Sequence, residues 1–469
     1  MTASPFLDSD AIRTLFSSAM SDMYRAEVPQ YGTLMELVAE INEATLAADP
    51  MLRQSLLRGD EMDRLSLERH GAIRVGTAGE LAMIGRAFAV LGMHPVGYYD
   101  LAVAGIPVHS TAFRPIADAA LRRNPFRVFT SLLRLELIED ETLRAEAADI
   151  LAARRIFTPG ALAMIEKAEQ QGGLSAADAG TFVSEVLETF RWHSQATVSA
   201  QTYRRLHDAH RLIADVVSFK GPHINHLTPR TLDIDAVQAA MPRRGISPKA
   251  VIEGPPRRKC AVLLRQTSFK ALEEPIAFKA GDGAETGRHT ARFGEIEQRG
   301  VALKPTGRKL YDDLLASVRD EVQVGAGGSG ASDYASELAT RFAPLPDDWE
   351  GLQKSGLAYF RYWATDQGRA ARGEGLPTAL NDLIAGGFVA YDPIIYEDFL
   401  PVSAAGIFQS NLGTDVQQNY AARANRSAFE AALGKPVADE FALYQAAEDA
   451  SIASALHEVG IGPARSRVT

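Results

Sequence analysis

One cysteine, Cys260, occurs in 469 residues. A lone thiol cannot close an intrachain disulfide or build a cysteine-based zinc or iron–sulfur cage, so a reducing compartment fits and nitrogen and oxygen donors must hold any metal. Long apolar runs are also missing. No stretch approaches the roughly 18 to 20 residues that cross a bilayer, and the opening Met1-Thr-Ala-Ser-Pro-Phe-Leu-Asp lacks the basic and apolar regions of a signal peptide. The expectation is a cytoplasmic chain with no membrane partner. Positive charge is in deficit too: 49 Lys plus Arg stand against 59 Asp plus Glu, a formal charge of -10, which argues against a nucleic-acid partner.

What is present is enough apolar material, 46% of residues, to bury a large core. From Asp8 to about Leu57, apolar residues recur at helical spacing, with Ile12, Leu15, Phe16, Met20 and Met23 on one face. Thr77 followed by Glu80 reads as the start of a helix from Ala78 to Leu91. The run 72–75 is strand-like, and the segments 95–101, 106–113 and 126–135 alternate at period two between Gly and Pro punctuation, as strands do. Residues 140–218, rich in Ala, Leu, Glu and Arg, read as a helical insertion whose last helix runs from Ser199 to Val217. Further strand patterns follow near 224–228, 260–267, 292–298, 357–363 and 387–396. Since strands lie on both sides of the insertion, residues 1–469 are expected to form a single interleaved α+β catalytic unit.

Ten histidines could supply imidazoles to a metal. In His223-Ile-Asn-His226, Gly221-Pro222 before and Thr228-Pro229 after the pair oppose a helix, and on an extended chain residues three apart face opposite ways. One of the two is then a ligand and the other supports or packs. His70 and Arg74 stand four apart at a strand entry, on one face, a spacing that suits a metal beside an anion clamp. The bland alternative pairs Arg74 with Glu68 or Glu80 at the surface. Glu295 and Glu297 share a strand face, and two inward carboxylates need partners or a metal. Two histidines and a carboxylate from separate strands can hold iron(II) with three positions open, and zinc hydrolases use the same donors. Two features read as decoys. Gly325-Ala-Gly327-Gly-Ser-Gly330 matches a dinucleotide fingerprint but follows a helix end instead of a strand, and Cys260 beside Arg257-Arg258-Lys259 opens an apolar strand, as a core residue does.

Four stretches carry a resemblance: Arg69-His70-Gly-Ala-Ile-Arg74-Val-Gly-Thr, Phe219-Lys-Gly-Pro-His-Ile-Asn-His226-Leu-Thr-Pro-Arg, Arg292-Phe-Gly-Glu295-Ile-Glu-Gln-Arg-Gly and Phe399-Leu-Pro-Val402-Ser403-Ala-Ala-Gly-Ile-Phe. Over essentially its whole length the chain resembles the bacterial 2-oxoadipate dioxygenase/decarboxylase family, or 2-hydroxyglutarate synthases, a branch related to the vicinal oxygen chelate enzymes. The resemblance implies a central, incompletely closed β-barrel-like sheet of vicinal oxygen chelate type, with a helical N-terminal segment and a helical insertion. It implies an Fe(2+) cofactor held by His70, His226 and Glu295, a substrate carboxylate bound by Arg74, and a pocket lined by Val402 and Ser403. The choice of Glu295 over Glu297 turns on the loop around Ala280 to Arg288. The implied reaction converts 2-oxoadipate and O2 to 2-hydroxyglutarate and CO2 in lysine breakdown. Two other classes use the same residues: an O2-independent zinc or manganese hydrolase or lyase on a small carboxylated substrate, and a metal-free binding protein with a buried polar network.

Overall fold

A computed structural model describes residues 5–461 apart from 60, 281–282, 320–328, 374 and 401–424. Val402, Ser403 and Gly325 to Gly328 lie outside the described residues.

The N-terminal segment is helical, as α1 (Ser9–Glu27), α2 (Pro29–Ala48), α3 (Pro50–Arg58) and α4 (Met62–Leu67). Asp8 caps α1 by accepting from the Ala11 amide, and Ile12, Phe16, Met20 and Met23 are buried along one stripe. Pro29 occupies the first turn of α2, where its missing N–H has no role to lose.

Next comes a βαβββ unit: β1 (Arg69–Val75), α5 (Ala78–Val90), β2 (His94–Asp100), β3 (Val108–Arg114) and β4 (Arg127–Leu133), with α6 (Asp118–Arg123) between the last two strands. Thr77 caps α5 as its spacing foretold, accepting from the Glu80 amide. β1 pairs parallel with β4 and antiparallel with a later strand, giving the order β2-β3-β4-β1 and then that strand. Helices cover both faces, so β3 and β4 are buried along their whole length. Ile73, Val75, Phe113 and Val128 join a core with Phe16 and Phe88, while Ala72, Ala112, Phe129 and Leu133 face a second core. Alternation therefore puts His70 and Arg74 on the side of that second core.

The insertion holds α7 (Glu141–Ala153), α8 (Pro159–Gln171), α9 (Ala176–Leu187), β5 (Gln195–Ser199), α10 (Ala200–Ala209) and α11 (Arg211–Val217). It departs from the expected all-helical run in two ways. β5 precedes its last helix, and that helix is broken at His210, whose extended backbone ends α10 and whose ring accepts from the Leu212 amide to start α11. After β6 (Leu227–Pro229), the strand that joins β1, come β7 (Leu264–Ser268), β8 (Glu273–Ala280), β9 (Gly283–Thr290) and β10 (Glu295–Arg299). β8 and β9 form an antiparallel hairpin on β5 where the loop around 280–288 was expected; Ile276 and Phe278 are buried beneath it. Cys260 precedes β7 instead of opening it, and is buried; burial pushes its thiol up to about 12, which fits a core role and not a nucleophile. β11 (Phe360–Ala364) and β12 (Val389–Pro393) pair antiparallel.

The chain divides into two compact units, each made of separated segments: 1–253, 266–298 and 398–438 in one, 254–265, 299–397 and 439–469 in the other. In the second, the helix Glu440–Glu458 meets β11 through Glu448, which accepts from the Phe360 amide. Among the described residues the protein is mixed α/β with four sheets, none closed, and no helix is long and apolar enough to cross a membrane.

Candidate metal centre

The first unit carries three candidate ligands together. His70 comes from β1, His226 from the irregular segment that leads into β6, and Glu295 from the start of β10. Gly71 makes the approach possible: a Cβ there would sit 2.5 Å from Ile224 Cδ1 and 3.2 Å from the His226 carbonyl oxygen. The His226 segment can therefore lie directly on β1. Register then aligns His70 with Thr228, whose hydroxyl donates to Glu295 Oε1 at 3.0 Å. Gln266 Nε2 donates to the same oxygen at 3.0 Å.

Glu295 Oε1 lies 3.1 Å from His70 Nε2 and 4.0 Å from His226 Nε2, and one donor atom from each residue falls within 4.8 Å of the others. The three residues are 1%, 4% and 1% exposed. Glu295 Oε2 and His226 Nδ1 are buried with no hydrogen-bond partner in the protein. The unpartnered carboxylate oxygen of Glu295 beside two imidazole Nε2 atoms is what a divalent cation can relieve, and the spacing of the donors suits one ion, so the residues present fit a metal.

Electrostatics agrees with that fit. Burial alone would raise Glu295, but the facing His226 and His70 hold it below the usual 4.5. Burial, reinforced by the charges of His70 and Arg74, pushes His226 down to about 4. Burial opposes charge on His70 as well, yet Glu297 and Glu295 together raise it above the usual 6.5.

Glu297, two residues along the same strand face, does a different job. Its Oε2 is 3.0 Å from His70 Nδ1, and Arg127 donates to its Oε1 at 3.1 Å. Arg127 also reaches Glu68 at 2.6 Å, and Glu68 in turn receives Arg64 and Arg230. Glu297 thus backs the His70 ring from a buried ionic network, while Glu295 approaches both imidazoles.

Arg74 is buried and does not take the surface role. Its Nη1 donates to Asp215 of α11 at 2.6 Å; Glu80 pairs with Arg154 and Glu68 with Arg127. Asp215 anchors a second buried cluster with His223 and His289, which spacing in the chain did not single out because its members come from α11, a loop and β9. Asp215 Oδ1 is 2.9 Å from His289 Nε2 and 3.3 Å from His223 Nε2, and Tyr203 OH is 2.8 Å from His289 Nδ1. His223 and His226 therefore go to separate clusters. The Phe399 ring meets His70 edge-on at 4.9 Å, and Phe399 and Leu400 are the last described residues before the segment that contains Val402 and Ser403.

Fold and site together define a mixed α/β protein with a buried two-histidine, one-carboxylate cluster that could hold a metal ion. The family model described as 2-oxoadipate dioxygenase/decarboxylase matches residues 16–411, and the chain belongs to that family. It is 59% identical over 463 residues to the 2-oxoadipate dioxygenase/decarboxylase of Pseudomonas putida, covering 98% of this chain and 100% of the relative. Against the protein of that name from Mycobacterium tuberculosis it is 41% identical over 455 residues, with 95% and 98% covered. Its fold is similar to the crystal structure of the Pseudomonas putida hydroxyglutarate synthase in complex with 2-oxoadipate, with a TM-score of 0.91 and 56% identity over 97% of this chain and 100% of that one.

Proposed function

We propose that this chain is an Fe(II)-dependent dioxygenase that converts 2-oxoadipate and O2 to 2-hydroxyglutarate and CO2, in lysine breakdown in the cytoplasm. Family membership and the full-length relatives support the reaction. The observation that carries the site is the convergence of His70 Nε2, His226 Nε2 and Glu295 on one point of the sheet. His70, His226 and Glu295 hold the iron. Bound there, iron supplies a chelating position for the carboxylate and keto oxygen of a 2-oxo acid and a site that activates O2.

The remaining steps belong to the protein. Glu297 fixes the His70 ring through Nδ1, and Thr228 and Gln266 fix the Glu295 carboxylate. Arg74, four residues along β1 and on the same face as His70, binds the distal carboxylate of the substrate by a charge-assisted contact. That contact aligns the chain so that the carbon next to the former keto carbon, which becomes the new carboxyl, is the one hydroxylated. Phe399 and Phe293, packed on His70 and His226, keep bulk water from the reacting end. Val402 and Ser403 line the substrate pocket. The βαβββ unit forms part of an incompletely closed, barrel-like sheet of vicinal oxygen chelate type. Residues 1–469 act as one catalytic unit with 140–218 inserted, since neither compact unit is a contiguous piece of chain.

Iron-loaded protein given 2-oxoadipate in air tests this reading. One O2 should be consumed for each CO2 and each 2-hydroxyglutarate, with no added co-substrate. Absence of oxygen uptake overturns the assignment, and anaerobic turnover with zinc or manganese establishes the hydrolase or lyase class instead.

A further inference from the structure

The second buried cluster has the donors of a metal site but none of the vacancy. Both oxygens of Asp215, both ring nitrogens of His289 and Nε2 of His223 already have partners. All three residues are buried, and Trp192 closes one side, stacked on His289 with ring centroids 5.9 Å apart and edge-on to His223 at 4.6 Å. A saturated cluster of this kind orients something. Beside Asn225, Phe219 and Trp192, it grips Arg74, through a 2.6 Å contact from Nη1 to Asp215 Oδ2.

We propose that Asp215 is a positioning residue for Arg74, held in place by His289, Tyr203 and His223, and that it makes this centre selective for 2-oxo acids with a second carboxylate. The inference rests on the reading that Arg74 binds the distal carboxylate. A guanidinium is a planar fork of five N–H donors on a flexible stem. Tying Nη1 to a buried carboxylate stops rotation of the fork and fixes the direction of its other donors. The aspartate is itself pinned: His289 and His223 approach Oδ1, leaving Oδ2 to Arg74, and Tyr203 holds the far nitrogen of His289. Asp215 also supplies a counter-charge, so that a buried arginine is tolerated before an anionic substrate arrives. Four separate parts of the chain, α10, α11, the 223 loop and β9, are thus spent on the angle of one side chain on β1. The cluster around the other β1 residue, His70, leaves a carboxylate oxygen of Glu295 open; this one holds Nη1 of Arg74.

The test compares two substrates in the iron-loaded full chain: 2-oxoadipate, and the 2-oxo monoacid of equal length, which lacks the distal carboxylate. Asp215→Asn keeps the shape and one acceptor but removes the charge. It is expected to retain iron, to raise KM for the diacid about tenfold with a much smaller change in kcat, and to leave the monoacid unaffected, so the diacid/monoacid ratio of kcat/KM falls about tenfold. A purely structural role would lower both substrates together, and that result overturns the proposal. Tyr203→Phe and His289→Gln leave Asp215 in place but loosen it. The same ratio should fall by roughly threefold in each. If Asp215→Asn does not fold, an unchanged ratio in both of these variants overturns the proposal on its own. Arg74→Ala separates the two levels. Loss of the ratio there with none in the Asp215, His289 and Tyr203 variants sinks the positioning role alone, whereas an unchanged ratio in Arg74→Ala sinks the reading of Arg74 on which it stands.

Discussion

Two clusters, each of two imidazoles and one carboxylate, lie buried at the two ends of β1, one containing His70 and the other gripping Arg74 through Asp215. By residue type and burial they are nearly interchangeable. They differ in what is left over. At His70, His226 and Glu295, the second carboxylate oxygen has no hydrogen-bond partner in the protein. At Asp215, His223 and His289, the donor atoms are already consumed by one another, by Tyr203 and by Arg74. Burial also acts on the two carboxylates alike, yet neighbours override it in both: His226 and His70 hold Glu295 down, and His223 and Arg74 hold Asp215 well below its usual 3.8. A donor set is therefore not a metal site until unsatisfied lone pairs accompany it.

The largest effect is expected at the residues proposed to hold the metal. His226→Ala and Glu295→Ala are each expected to reduce bound iron and 2-oxoadipate turnover to background, while His223→Ala keeps iron near one equivalent. Metal analysis of the purified proteins checks this, and equal iron loss in all three would erase the distinction between the clusters.

A smaller effect is expected at the residue behind His70. Glu297→Gln keeps the shape but removes the charge facing Nδ1, and iron should bind roughly 10- to 100-fold more weakly, as read by chelator competition. Unchanged affinity would reduce Glu297 to a partner of Arg127.

Proton release sharpens the same cluster. His70 must lose its proton to bind a metal, and in the metal-free protein its pKa lies above 6.5. Below that raised pKa, each metal bound displaces one proton, so apparent affinity rises with pH by up to about tenfold per unit and levels off once the pKa is passed. His226, already neutral above about 4, contributes nothing in this window. Titration calorimetry in buffers of different ionisation enthalpy counts the protons; a count of zero at pH 6.5 would contradict the raised pKa.

The smallest effect belongs to a site outside both clusters. Cys260→Ala should leave turnover within about twofold of the native protein. Its buried thiol, pushed up to about 12, is no nucleophile at neutral pH. A large loss of activity would reopen a thiol mechanism.

Much of the fold was legible where local pattern and tertiary demand agree. The strands of the βαβββ unit and the Thr77 cap appear within a few residues of where alternation and capping put them, because those strands need one apolar residue in two whatever covers them. The β8–β9 hairpin was not legible: its outer positions are Glu, Lys and Arg, and its buried positions mix the apolar Ile276 and Phe278 with the polar His289. The break at His210 was hidden for the opposite reason, since the residues on both sides are good helix formers.

By itself the sequence determined the strand and helix pattern around β1, the presence of His70 and Arg74 on one face, and a supply of nitrogen and oxygen donors with no sulfur cage. Tertiary structure alone decided that Glu295 approaches both imidazoles while Glu297 backs one, and that His223 joins Asp215 and His289 instead of His226. The physical reason is that satisfaction of a buried lone pair depends on what faces it across the sheet. Arg74 and Asp215 are 141 positions apart and Tyr203 and His289 are 86 apart, distances at which spacing along the chain carries no information about contact.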